Sequence, residues 1–228
     1  MSRKPRRAHI DNMNNRNYVR DDLAHGILEL LVEEGFVLTQ QNEEDLYRHL
    51  ALVRKWNDYA SLVSRKDLPN LVRAHLVDSL SLAPIVLRLE KANGTLLDIG
   101  TGGGFPAIPL KVIFPGLNVL MIERSEKKLA FLQKAVVTLA LEKASVIHGS
   151  FPDAVPVCQP DLITARAIDA PERLLAQVLA LLPERGVFLC QIPRAKLDVP
   201  ATFHVERIHD TWTERQLRRG DLHLISHA

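Results

Sequence analysis

The chain has 228 residues, is 46% hydrophobic and 25% charged, and carries a formal net charge of +2. That composition describes a soluble globular protein with a sizeable core, one large α/β domain with a small appendage. Its two cysteines, Cys158 and Cys190, have no paired spacing, and no apolar run approaches the length of a membrane span. A disulfide scaffold, a cysteine-rich zinc site and a spanning helix are therefore excluded, and a reducing cytoplasm without membrane contact is the expected setting.

In chain order, residues 1–20 read as a basic flexible tail, with Arg3, Lys4, Arg6, Arg7, Arg16 and Arg20 against Asp11. Such a tail is either a solvated extension or an arm that meets RNA phosphates. No apolar segment follows it, so no secretory signal is expected. Residues 21–92 read as a helical region. Leu23, Ile27, Leu30 and Leu31 recur at helical spacing between Asp21 and Gly35. A second helix is predicted over Glu43–Tyr59, with Leu46, Leu50, Val53 and Trp56 on one face. A third follows Asp67 and Pro69, carrying Leu71, Val72, His75, Leu76 and Ser79, with Pro84 ending it or opening a new turn.

From residue 93 to 228 the rhythm becomes strand–helix alternation. Strands are predicted at Thr95–Gly100, Asn118–Glu123, Ala144–His148, Asp161–Arg166 and Gly186–Gln191. Helices are predicted between them at Pro106–Phe114, Glu126–Leu141 and Ala170–Leu182, the last with Asp169 and Glu172 at capping-box spacing. Alternation of this kind implies a parallel sheet with helices on both faces. Thr202–His209 and Leu222–Ser226 then suggest a terminal antiparallel pair.

The segment T-L-L-D-I-G-T-G-G-G-F-P-A-I-P-L, residues 95–110, holds an acid and four glycines at the end of the first strand. In an open parallel sheet, ligands bind beyond the carboxyl ends of the strands. Glycines let backbone approach a ligand closely, and Pro106 and Pro109 fix a helix start just after the loop. The amides left free there belong mainly to the glycines and Phe105. Gly102, Gly104 and Ala107 match a dinucleotide spacing, but a loop this rich in glycine matches many registers. Asp98 points elsewhere: a carboxylate at the loop suits the ammonium and sulfonium of S-adenosylmethionine and repels a pyrophosphate. Glu123, at the end of the next strand, suits ribose hydroxyls in either cofactor, and equally suits the acidic flank of the following helix.

D-I-G-T-G-G-G-F-P-A-I-P-L resembles the first motif of the ribosomal RNA small subunit methyltransferase G family, also called glucose-inhibited division protein B. K-W-N-D-Y at Lys55–Tyr59, H-L-V-D-S-L at His75–Leu80 and A-R-A at Ala165–Ala167 are similar to further family segments, so the resemblance spans roughly residues 45–190. It implies a Rossmann-like seven-stranded methyltransferase sheet with an N-terminal helical extension. It also implies S-adenosylmethionine as cofactor and methylation of guanine N7 in 16S rRNA of the small subunit; a monomer is the separate expectation. The cofactor residues it implies are Asp98, Gly100, Thr101, Gly102, Gly103, Phe105, Glu123, Ser150 and Arg166. His75, Asp78, Ser79, Arg166 and Arg194 would meet the substrate, and no acid–base or metal-binding residue is implied. Lys127, Lys128 and Lys196 would add charge at the rim.

Three segments depart from the family pattern. Ser61–Ser64 replaces N-L-T-S, Ile192–Pro193 replaces a lysine–glycine pair, and H-G-S-F-P-D after the third strand lacks an arginine and a glutamate. These changes keep alternatives open: a methyltransferase for a small molecule or another RNA, or a non-catalytic RNA-binding relative.

Overall fold

A computed structural model describes residues 22–155, 157–166, 171–191 and 197–228. Helix α1 spans Asp22–Glu33 and α2 spans Gln40–Ala60. The predicted second helix starts earlier than expected, because Thr39 and Asn42 cap it reciprocally, Thr39 Oγ1 accepting from the Asn42 amide and Asn42 Oδ1 accepting from the Thr39 amide. An Asn in this role is less conspicuous in sequence than the usual Glu or Gln.

The third helical segment is irregular. It runs as a 3-10 turn at Leu68–Asn70, a π-helical stretch at Val72–Val77 and a last α turn, α3, at Asp78–Leu80. Apolar spacing does not distinguish these hydrogen-bond patterns, so one helix was the sequence expectation. Helix α4, Ala83–Arg88, opens with Pro84 in its first turn, where the missing amide hydrogen costs nothing.

Five parallel strands follow, β1 (Thr95–Ile99), β2 (Asn118–Glu123), β3 (Ala144–His148), β4 (Leu162–Ala165) and β5 (Val187–Cys190). They alternate with α5 (Ala107–Ile113), α6 (Glu126–Thr138) and α7 (Pro171–Leu181). Helix α6 stops short of the predicted Leu141 because Ala140 turns left-handed, with φ of 49°. Strands β6 (Phe203–Arg207) and β7 (His223–His227) close the sheet, with the short helix α8 (Thr211–Glu214) between them.

The sheet has seven strands in the order β3-β2-β1-β4-β5-β7-β6. The last pair is antiparallel, as expected, but β7 inserts between β5 and β6. Strand order reverses between β1 and β4, which opens a crevice at their carboxyl ends.

Alternation along β1 feeds two cores. Leu96 packs with Leu31, Leu46, Leu50, Leu110 and Trp212 on one face, and Leu97 and Ile99 pack with Leu174, Val178 and Phe188 on the other. Each fully buried side chain of this size contributes roughly 1.5–3 kcal/mol. The N-terminal helices therefore share one continuous core with the sheet. Asp98 has the parity of Leu96 and faces that helical side, next to its register partner Thr164 on β4. The Trp212 indole also donates to Glu34, tying the C-terminal segment to the end of α1.

Among the described residues, no helix is long and apolar enough to cross a membrane, and no His, Cys, Asp and Glu cluster could hold a metal ion. Cys158 is exposed and Cys190 buried, and neither is in a disulfide.

Candidate functional site

The crevice holds a cavity of about 480 Å³ lined by Gly100, Glu123, Arg124, Lys128, Ser150 and Arg166, with Arg173 and Gln177 from α7. Sequence reading had placed Gly100, Glu123, Ser150 and Arg166 at the cofactor and Lys128 at the rim. It missed Arg124, Arg173 and Gln177. The signal for the last two was their position on the first turns of the helix that follows β4, the side that closes over the strand ends.

Asp98, 1% exposed, immediately precedes Ile99 and Gly100, which line the cavity. Its Oδ1 accepts from the Thr164 hydroxyl at 2.7 Å, while Oδ2 is buried and makes no bond of full hydrogen-bond geometry, the Thr101 hydroxyl acting on the carboxyl without closing one. Burial pushes the carboxyl up to about 6, against the pull of the Thr101 and Thr164 hydroxyls and of the Arg166 charge. An unpaired buried carboxylate oxygen is costly, and the cost is removed when a cation pairs with it.

The glycine loop satisfies most of its own amides. Gly100 and Thr101 donate to the Ile122 carbonyl, Gly104 donates to the Thr101 carbonyl, and Gly102 donates to Glu123 Oε2 at 3.0 Å. The expectation that these glycine amides remain free is thereby corrected. Bending the chain back on itself at left-handed Gly100, Gly102 and Gly104 turns those hydrogens inward. A pyrophosphate would find little donor capacity here and a negative charge next to the loop. A methionine ammonium would find the open oxygen of Asp98. A Cβ at Gly100 would meet nothing within 4 Å, so bare backbone faces the cavity. These residues fit S-adenosylmethionine and do not fit a dinucleotide.

Glu123 takes the helix-flank role and also reaches the cavity. Its Oε1 accepts from the Ser125 amide at 2.9 Å at the start of α6, and its carboxylate also lines the cavity. Thr101, Gly103 and Phe105 are buried behind the cavity wall rather than lining it.

Behind the loop, an aromatic stack fixes its position. Phe105 lies between His49 and His75, with ring centroids 4.7 and 5.1 Å away. His49, which sequence reading missed, is fully buried, and its Nε2 sits 2.8 Å from the Gly103 carbonyl, so that nitrogen carries the hydrogen and donates. Burial lowers its pKa to about 4. Nothing in the spacing of α2 marked this histidine off from an ordinary core residue.

The predicted substrate residues converge only in part. Arg166 Nη1 donates to Asp78 Oδ2, and Nη2 lies 3.4 Å from His75 Nδ1. Asp98 feels the Arg166 charge but is not hydrogen-bonded to it. Asp78 Oδ1 also accepts from Gln191 and from the Arg219 backbone amide. Gln191 was another residue that sequence reading did not single out. His75 and Asp78 do not bond each other, and the π-helical stretch around His75 instead brings its ring to Phe105 and Arg166. Burial and the Arg166 charge lower the His75 pKa to about 4, although Asp67 lies 3.6 Å away. Ser79 is fully buried and its hydroxyl donates back to the His75 carbonyl, so the fold does not bring it to the cavity. Residues 1–21, 156, 167–170 and 192–196 lie outside the described residues, and with them the basic tail, Arg194, Lys196, the Ile192–Pro193 pair and the Asp169 cap.

The profile of the rRNA small subunit methyltransferase G family matches residues 42–196. The ribosomal RNA small subunit methyltransferase G of Leuconostoc citreum is 34% identical over 73% of this chain and 71% of its own. That of Marinobacter nauticus is 36% identical over 75% of this chain and 80% of its own. Among solved structures, the SAH-bound methyltransferase PaMTH1 of Podospora anserina superposes with a TM-score of 0.58 at 14% identity, covering 92% of this chain and 97% of that one. This last likeness concerns the fold.

Proposed function

The chain belongs to the rRNA small subunit methyltransferase G family, and from that premise we propose that it transfers a methyl group from S-adenosylmethionine to N7 of a guanine in 16S rRNA. The observation that carries the cofactor side is the buried Oδ2 of Asp98, short of a full hydrogen bond, beside backbone bared by glycine. Asp98 would hold the methionine ammonium, and the lone pairs of Glu123 not taken by Gly102 and Ser125 would accept from the ribose hydroxyls.

When bound, S-adenosylmethionine supplies an electrophilic methyl group on a sulfonium. Guanine N7 has a lone pair and no hydrogen, so the protein needs no general base. Its residues act by placing the base in line and excluding water. Arg166 is suited to this, because Asp78 anchors one end of its guanidinium and Phe105 lies under it, 5.9 Å from the ring centroid. His75, held neutral, offers a ring edge without charge. In A-form RNA the groove that displays N7 is too deep and narrow for side chains, so the target guanine is unpaired or extruded. The setting we propose is the cytoplasm, with the chain acting as a monomer on the small subunit.

The test is transfer of labelled methyl groups into small-subunit particles from a strain lacking this gene. Label recovered as N7-methylguanine supports the proposal. Particles that stay unlabelled while the purified chain binds S-adenosylmethionine would redirect it to another substrate.

A further inference from the structure

The C-terminal half of α2 runs beside the start of α6, and this seam carries a strongly one-sided charge. Over residues 54–66 and 124–134, the two segments that flank it, Arg54, Lys55, Arg65, Lys66, Arg124, Lys127 and Lys134 are exposed against Asp58 and Glu126. Among the described residues, none of these cations lies within ion-pair distance of a carboxylate. The seam leads straight to the cofactor cavity, since Arg124 and Lys128 line it. On the other side, the Leu62 carbonyl lies 3.8 Å from where a Cβ on Gly102 would stand.

In the middle of the seam sits Tyr59, 58% exposed. Trp56 braces it edge-on with centroids 6.0 Å apart, and Trp56 itself leans on buried Phe131. The Lys127 ammonium stands over the Tyr59 ring, 5.0 Å from its centroid. An exposed aromatic, backed by a second ring and met by a lysine on a cation-rich surface, is the arrangement on which single-stranded nucleic acid stacks its bases while its phosphates meet the charges. A protein partner would want a wider apolar patch here, whereas Tyr59 is met by the Lys127 ammonium and followed in the chain by exposed Arg65 and Lys66.

Resting on the reading of RNA as substrate, we infer that the α2–α6 seam seats the strand flanking the target guanine, with one unpaired base stacked on Tyr59 and phosphates held by Lys127 and its neighbours. The stacked base lies on the ring face away from Lys127. The seam thus fixes the direction from which the strand enters the cavity.

The probe is a short single-stranded oligoribonucleotide containing one guanine flanked by 2-aminopurine, whose fluorescence falls on stacking. With the full chain, binding should quench it. Tyr59→Leu should weaken binding about tenfold and abolish the quench, while Tyr59→Phe keeps both. Lys127→Gln should keep the quench but lower the slope of log affinity against log salt by about 0.7. Equal affinity and equal quench for Tyr59→Leu would overturn the inference. Cofactor calorimetry on each variant verifies folding. Should the unaltered chain bind no RNA and methylate no particle, the proposed function fails instead, a result distinct from an RNA-binding enzyme indifferent to Tyr59.

Discussion

Arg166 and Asp78 form a short, largely buried ion pair, Nη1 to Oδ2 at 2.6 Å, between residues 88 apart in sequence. The pair fastens the end of β4 to the helical cap over the crevice. Asp78 also receives Gln191 and the Arg219 amide, so it has three donors, whereas Arg166 has one carboxylate. That asymmetry sets an order of stability. Asp78→Ala strands a guanidinium and a backbone amide and should cost about 3 kcal/mol, while Arg166→Ala leaves Asp78 two donors and should cost about 1 kcal/mol. Urea denaturation of the two variants decides; an Arg166 variant that is the weaker of the two refutes the hub.

Activity should follow the opposite order of directness. Arg166→Ala and His75→Ala should both raise KM for the RNA about tenfold or more, and Arg166→Ala should also weaken cofactor binding, because Arg166 lines the cavity and its charge holds the Asp98 pKa down. Full activity in both variants would remove these residues from the site.

Asp98 should link cofactor binding to pH. Its folded pKa of about 6 lies above the unfolded value of 3.8, so the carboxyl is protonated in the empty protein at acid pH. An ammonium needs the ionised form, so affinity should fall about tenfold for each pH unit below 6. Asp98→Asn should weaken binding about 100-fold or more and flatten this dependence. Calorimetric titration across that range reads both. An Asn variant that binds as tightly as the parent would sink the assignment.

The same shifts predict how stability responds to acid. For Asp98 the raised pKa favours the folded state below about pH 4, and that gain is lost as pH rises through 6. For His49 and His75 the folded pKa of about 4 lies below the unfolded 6.5. Their contribution is present above pH 6.5 and lost as pH falls through 4. Two buried histidines outweigh one carboxyl, so net stability should drop between about pH 6.5 and 4, as followed by thermal melting. The drop should shrink in His49→Gln, which can still donate to the Gly103 carbonyl but does not titrate.

Two glycines of the loop should fail differently. Gly104 has φ of 80°, and a Cβ there would stand 2.5 Å from Ile108 Cδ1, so Gly104→Ala should destabilise the fold by about 2 kcal/mol or more. Gly100 has φ of 65° but open space, so Gly100→Ala should cost about 1 kcal/mol of stability and lose cofactor affinity more severely. Melting temperature and cofactor affinity, measured side by side, separate the two.

Much of this was legible in the chain itself. The strand boundaries at Asn118–Glu123 and Ala144–His148 and the helix after Pro106 follow from local apolar runs and local breakers, which act over a few residues. Asp98 among glycines specified the cofactor class for the same reason: acid, loop and helix start are neighbours in sequence. Family membership came from short motifs whose spacing survives in linear order.

Only the folded chain decided who meets whom. The partner of Arg166, the donor to Gly103 and the Gly102 amide held by Glu123 depend on groups 88, 54 and 21 residues away. The insertion of β7 beside β5 and the inward turn of the loop amides belong to the same class. Propensity and periodicity constrain each residue against its near neighbours, and they leave undetermined which of several chemically equivalent partners packing will bring within hydrogen-bond reach. Burial makes that choice, because a polar group removed from water must be satisfied by whatever lies beside it.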